Sequence, residues 1–201
     1  MQLDAEMSFA SQNDVLAAIS TVIGRVVEEV RGETIGEIPT MTWWEAAERF
    51  GTDKPDLRFG MELVELTEVF AETGFNAFKA DCIKGLRLEG GADLARNRLD
   101  DLTDTAKRWG AKGLVWMRVR ETEGRIELDS PIAKFLSEPE METLAARLEA
   151  QPGDMLFLVA DDRPRVRHVL GLLRNELGRP PVDDGRLDFV WIVDFPLFEE
   201  I

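Results

Sequence analysis

Thr42 to Leu63 reads T-W-W-E-A-A-E-R-F-G-T-D-K-P-D-L-R-F-G-M-E-L, and the rest of the chain is organised around it. The first half predicts a short helix. Thr42 and Glu45 are spaced for a capping box, in which each side chain satisfies a backbone N–H at the helix start. Gly51 stands where a left-handed residue closes a helix. Then follows Thr52-Asp53-Lys54-Pro55-Asp56-Leu57-Arg58, a polar string that a plain surface turn would not need. Pro55 fixes its own φ and pushes Lys54 to extended geometry, so the Asp and basic side chains are held out of any helix. On these residues alone, a solvated loop of balanced charge is an equal reading.

Upstream, residues 1–10 alternate, with Leu3, Ala5, Met7 and Phe9 on one side and Gln2, Asp4, Glu6 and Ser8 on the other. Period-2 alternation predicts a half-buried strand. Its polar face carries an amide, two carboxylates and a hydroxyl at about 7 Å steps. It is either the wet face of an edge strand or the wall of a ligand cleft. Asn13 or Ser11 then caps a helix of about five turns. Its apolar residues, Val15, Leu16, Ile19, Val22, Ile23, Val26, Val27 and Val30, predict a core-facing stripe. Gly32 ends it, and residues 33–41 are a linker.

Downstream, Val64–Gly74 holds a short helix or strand anchored by Phe70 and Phe75, and Ala80–Leu88 reads as a strand before a Gly90-Gly91 turn. Asp93 is expected to cap a helix to Trp109. Gly113–Arg120 is a strand, followed by a turn near Glu123-Gly124. Ser137 and Glu140 form a second capping box, for a helix to Ala150. Met155–Ala160 is apolar on both faces and so central. A helix follows over about 163–177, with Val166, Val169, Leu170, Leu173 and Leu177 inward and His168 on the surface. Residues 188–198, D-F-V-W-I-V-D-F-P-L-F, form a strongly apolar strand.

The composition sets limits. No apolar run approaches the roughly 20 residues that span a bilayer, so no membrane association is expected. Cys82 is the only cysteine, which excludes an internal disulfide and suits a reducing cytoplasm. His168 is the only histidine, leaving little material for His-based metal sites or Ser-His triads, and no metal site is expected. With 24 basic and 39 acidic residues the net charge is −15, so phosphate backbones are repelled on average. Any RNA contact must come from a local basic patch.

G-T-D-K-P-D-L-R-F-G-M-E-L resembles the segment of bacterial-type aspartyl-tRNA synthetases where the chain leaves the class II catalytic domain and enters a large insertion. Q-L-D-x-E-M-S-F resembles the stretch closing motif 2 of that family. G-A-K-G-L-V-W-M-R-V and S-P-I-A-K-F-L-S resemble signatures of its insertion, the GAD domain, and V-W-I-V-D-F-P-L-F-E resembles the return into the catalytic sheet. The resemblance covers essentially the whole chain, and its blocks stand in family order.

The resemblance implies an α+β architecture. Residues 1–62 would be partial class II catalytic domain, 63–181 a GAD-type insertion with an antiparallel sheet and helices on one side, and 182–201 the return strand. It implies the ATP-dependent attachment of L-aspartate to tRNA through aspartyl-adenylate, with ATP and Mg serving the parent enzyme and none expected on the fragment. Asp4 would receive the ammonium of substrate aspartate, with Gln2 and Glu6 beside it in the pocket. The insertion would face the tRNA acceptor arm, making Lys54, Arg58, Lys112, Arg118, Arg120 and Lys134 candidate tRNA contacts. For the basic residues on the strand, protection of a solvated edge is an equal reading.

The parent would be a homodimer. Motif 1, the motif 2 arginine and motif 3 fall outside these residues, so the isolated chain is expected to be inactive, Met1 to be an added start, and the two end strands to self-associate or fray. Aspartate-dependent ATP–pyrophosphate exchange by the pure chain would contradict that expectation. The alternative is a stand-alone GAD-like module that binds tRNA or protein without catalysis.

Overall fold

A computed structural model describes residues 4–179 and 185–198. It divides into two compact units, one running to Thr40 and including Phe189–Trp191, the other made of Met41–Asp188 and the residues from Ile192 on.

The smaller unit is built on α1 (Gln12–Arg31). Ser11, not Asn13, caps it: its Oγ accepts from the Asp14 N–H, and the Asp14 carboxylate accepts from the Ser11 N–H at 2.8 Å. Gly32 closes the helix at φ 68°. Trp191 donates its indole N–H to Ser20 Oγ at 3.0 Å and its backbone N–H to the Pro39 carbonyl at 2.8 Å. The expected core-facing stripe is only partly used. Val27 is buried and Leu16, Ile19 and Ile23 are half-buried, whereas Val15, Val22, Val26 and Val30 face solvent. Eight apolar residues in sixteen positions wrap more than one face of a helix, and one of those faces has no cover among the described residues.

Residues 4–10 are irregular, so the strand expected over 1–10 is corrected there. Phe9 turns the chain at φ 58° and is fully exposed. Alternation alone cannot hold a strand. Its backbone groups need a ladder partner, and no described strand pairs with 4–10.

The larger unit opens with α2 (Trp43–Phe50), where the capping box and Gly51 terminus form as expected. Five strands make one sheet in the order β2-β3-β6-β4-β5: β2 (Val64–Glu65), β3 (Cys82–Leu88), β4 (Val115–Thr122), β5 (Arg125–Asp129) and β6 (Met155–Asp161). All neighbours are antiparallel. β6 pairs with β3 from Cys82↔Asp161 to Leu88↔Met155, and with β4 from Val115↔Leu158 to Arg118↔Met155. The short strands β1 (Thr40–Thr42) and β7 (Trp191–Val193) are not part of this sheet. β7 is also much shorter than the strand expected over 188–198, and Phe195, Leu197 and Phe198 beyond it are exposed.

Helices cover both faces of the sheet, which corrects the expectation of helices on one side. α3 (Arg96–Arg108) and α5 (Arg163–Gly178) bury Leu99, Leu102, Ala106, Val166, Val169, Leu170 and Leu173 against Cys82, Leu86, Met155, Phe157 and Val159. α4 (Glu138–Arg147) and short 3-10 turns bury Leu144, Phe70 and Phe78 against Ile83, Met117, Leu156 and Leu158. The reason lies in β6. Its residues Met155 to Val159 are consecutively buried, so both faces need a lid. Each such side chain contributes about 1.5–3 kcal/mol. The expected cap of α3 is corrected too: Asp93 sits in a preceding 3-10 turn and Ala95 occupies the cap without a side-chain bond.

Candidate functional site

The polar segment after α2 is held from beneath by one side chain. Arg174 on α5 is completely buried. Its Nη2 donates to the carbonyl oxygens of Asp56 (2.8 Å), Phe59 (2.9 Å) and Gly60 (2.9 Å), and its Nε donates to that of Met61 (3.2 Å). The guanidinium lies over the rings of Phe59 and Phe50, 4.2 and 4.9 Å from their centroids. Four backbone acceptors for Nε and Nη2 and two π faces thus replace part of the water around a buried cation, while Nη1 has no hydrogen-bond partner among the described residues. Burial lowers the Arg174 pKa, against the pull of the Asp56 and Glu62 carboxylates.

At the rim of the same loop, Arg58 makes a forked pair with Asp56, Nε to Oδ1 at 2.9 Å and Nη2 to Oδ2 at 2.7 Å. The Arg58 hydrogen bond holds the Asp56 carboxyl down at about 2. The loop sits tightly on α5 because two glycines meet there. A Cβ on Gly51 would lie 2.2 Å from the Arg167 carbonyl oxygen, and one on Gly171 would lie 2.9 Å from that of Gly51.

A second cluster joins α2, β2, β3 and α5. Lys84, only 2% exposed, places Nζ 2.7 Å from Glu48 Oε2 and 3.7 Å from Glu65 Oε2. Arg163 Nη1 bridges Glu48 and Glu65 at 2.8 and 2.7 Å. Arg167 reaches Glu48 at 3.2 Å and lies over Trp43 and Trp44. Burial pushes the Glu65 carboxyl up, but hydrogen bonds from Thr67 and Arg163 hold it below its ordinary value. Beside them, burial pushes the Cys82 thiol up to about 11. The Glu65 shift keeps a paired carboxylate charged and the Cys82 shift keeps a buried thiol uncharged at pH 7, so neither group is set as an acid–base couple near that pH.

The expected site residues are dispersed among these elements. Asp4 and Glu6 are exposed in the irregular stretch before α1 and make no hydrogen bond or ion pair with any described residue, while Gln2 lies outside the described residues. Lys54 is exposed in the loop after α2. Lys112 projects into solvent with Nζ 2.9 Å from Asp161. There burial raises the Asp161 pKa, but hydrogen bonds led by that from Lys112 bring it below its ordinary value. Arg120 pairs across the hairpin with Asp129 at 3.0 Å, and Lys134 lies over the Phe135 ring. Arg118 is used internally: Nε and Nη2 donate to the Ala92 and Leu94 carbonyls at 2.8 and 2.9 Å, and the group stacks on Trp116.

Sequence reasoning missed Arg174, Lys84 and Glu48. For Arg174 a signal existed, since it follows Leu170 by four residues and so falls on the inward stripe of α5.

Comparison with known proteins bears on the same segments. Residues 76–170 match the GAD domain model. The chain is 44% identical over 207 residues to the aspartate–tRNA(Asp/Asn) ligase of a Thermoanaerobacter species, covering 98% of this chain and 34% of that protein. It is 44% identical over 203 residues to the ligase of the same name from Saccharopolyspora erythraea, covering 100% of this chain and 33% of that protein. With the aspartate–tRNA ligase of Shouchella clausii it shares 42% over 207 residues. The chain spans about a third of the length of these relatives.

Proposed function

We propose that this chain, homologous along its length to bacterial aspartate–tRNA ligases and carrying a GAD domain, serves the ATP-dependent attachment of aspartate to tRNA. The carrying observation is the identity of 44% across 98% of the chain, far more than one motif would supply. Within that reaction the larger unit is a scaffold. Arg174 fixes residues 56–61 from below, and the Glu48–Lys84–Glu65–Arg163 cluster ties α2 to the sheet and to α5. A fixed loop orients a ligand without the entropy loss of ordering it at each turnover.

Asp4 is the carboxylate for the substrate ammonium, a charge-assisted contact, with Gln2 and Glu6 as neighbours. Lys54, Arg58, Lys112, Arg120 and Lys134 are the cations through which tRNA phosphates are met. Arg118 belongs to the set by sequence, although its donors serve the 91–94 turn. Residues 1–62 and 182–201 serve as catalytic-domain pieces around the 63–181 insertion, in a homodimer that works in the cytoplasm. Aminoacyl-tRNA synthetases use ATP and Mg. Among the described residues no group of three or more His, Cys, Asp or Glu side chains could hold a metal ion, so no magnesium position is assigned to them.

A graft tests the reading. The 201 residues replace their counterpart in the Saccharopolyspora erythraea ligase, and aspartylation of tRNA is measured. A working chimera whose Asp4→Ala version loses aspartate-dependent ATP–pyrophosphate exchange supports the proposal. A folded chimera that charges no tRNA, or one indifferent to Asp4→Ala, overturns it.

A further inference from the structure

The sheet ends on one side at β5, and nothing among the described residues pairs with its outer edge. Glu123 and Gly124, at φ 52° and 77°, close the β4–β5 hairpin with the Thr122↔Arg125 pair flanking them. Positive φ at both central residues is the type I′ turn that suits a two-residue hairpin. The flanking pair in such a hairpin is hydrogen-bonded and the ladder alternates from there. Arg125, Glu127 and Asp129 therefore direct their N–H and C=O groups to β4, while Ile126 and Leu128 direct theirs outward. A row of unpaired donors and acceptors is a template for another strand.

Beside that edge runs a groove of about 920 Å³. One wall is β5. The other is a single stripe of α4 and its extension, in which Glu138, Met141, Glu142, Ala145, Ala146 and Glu149 recur at helical spacing. Ala145 and Ala146 leave room for a backbone, and Ile126, 47% exposed, offers apolar surface on the face where Leu128 is buried. Glu138, Glu142 and Glu149 line the α4 wall, Glu127 and Arg125 lie on the opposite face of β5 by strand alternation, and none of these four carboxylates makes an ion pair among the described residues.

That charge selects the occupant. RNA phosphates would meet uncompensated carboxylates. A second copy of the chain would bring the same four carboxylates to the seam. We propose that the β5 edge and the facing stripe of α4 form a docking groove for a basic, extended peptide segment of a partner protein. The segment adds a sixth strand to the sheet by pairing with Ile126 and Leu128. Side chains on its α4 side meet Met141, Ala145, Ala146 and the glutamates of α4, and the alternate ones, on the other face of the sheet, meet Glu127.

The test uses the 201-residue chain and a fluorescein-labelled heptapeptide of alternating lysine and valine. Two control peptides carry glutamate in place of lysine, or the same lysines and valines in two blocks. Anisotropy should report binding of the alternating basic peptide that weakens with salt, with new exchange protection at the Ile126 and Leu128 amides. Ile126→Pro removes an outward donor and leaves the β4 ladder intact, and it should weaken binding at least about tenfold. The surface pair Glu142→Lys and Glu149→Lys should do the same without threatening the fold, which far-UV circular dichroism verifies. Equal binding of either control peptide overturns the proposal. So does undiminished binding by the charge-reversed variant, or occupation of this edge by an RNA stem or a second copy.

Discussion

Replacing Arg174 with methionine keeps the apolar stem and removes the buried cation with its donors. Hydrogen bonds from a charged donor contribute about 1.5–3 kcal/mol each. The two hydrogens of Nη2 are shared among three carbonyls and that of Nε serves one, so the four contacts amount to about three full bonds, or roughly 4.5–9 kcal/mol. The two ring faces add about 1 kcal/mol. Freeing the variant from burying a guanidinium offsets several kcal/mol of that total. A net loss of about 3 kcal/mol remains, equivalent to a fall of about 6–12 °C in Tm for a unit of this size. Arg174→Lys should fall between, because three protons on one nitrogen cannot span the positions of Nε and Nη2. Thermal unfolding by circular dichroism gives the magnitude. Hydrogen exchange gives the location, and amides of residues 57–62 should lose protection before those of β6. An Arg174→Met Tm within about 2 °C of the parent, with the loop still protected, would refute the clamp.

Three further expectations follow from geometry already given. The Asp56 carboxyl, near 2 in the fold and 3.8 ordinarily, contributes stability above its ordinary value that is lost as pH falls toward 2; acid titration should show Asp56→Asn less stable at neutral pH and flatter in that window. Gly51→Ala should cost about 2–4 kcal/mol in urea unfolding because of both φ and the Arg167 carbonyl, whereas Gly32→Ala, at φ 68° with no atom within 4 Å, should cost about 1 kcal/mol. Cys82, buried with its thiol pushed up to about 11, should resist iodoacetamide at pH 8 in the fold and react promptly in urea; equal rates in both states would contradict its burial.

Much of the larger unit was legible because local chemistry and tertiary demand agree in it. Thr42, Glu45 and Gly51 delimit α2, Ser137 and Glu140 start α4, and the unbroken apolar run of β6 announces a central strand. The two strand failures share one cause. Residues 4–10 and 194–198 carry strand-like patterns whose realisation depends on neighbouring strands, and a pattern states what a segment can bury without stating what buries it. The candidate cations were legible only as charges. Arg118 reads from sequence like Arg120, two residues on, yet one cradles carbonyls beside Trp116 and the other lies in solvent against Asp129. Arg174 was missed for the converse reason, because a charged residue on an apolar stripe is normally assigned to solvent.

The spatial order of the sheet also sets a timetable. β6 lies between β3 and β4 but is made after both. Until residues 155–161 are synthesised, β3 and the β4–β5 hairpin are separate pieces with no shared neighbour. At about 5–20 residues per second, the interval from the end of β4 to the end of β6 lasts roughly 2–8 s. During it, each nascent chain displays two unfilled strand edges, and the helix that closes one face of the sheet, α5, is still to come. The larger unit therefore matures late and in one step, and a truncation between Thr122 and Met155 would leave a sticky intermediate instead of a smaller stable domain.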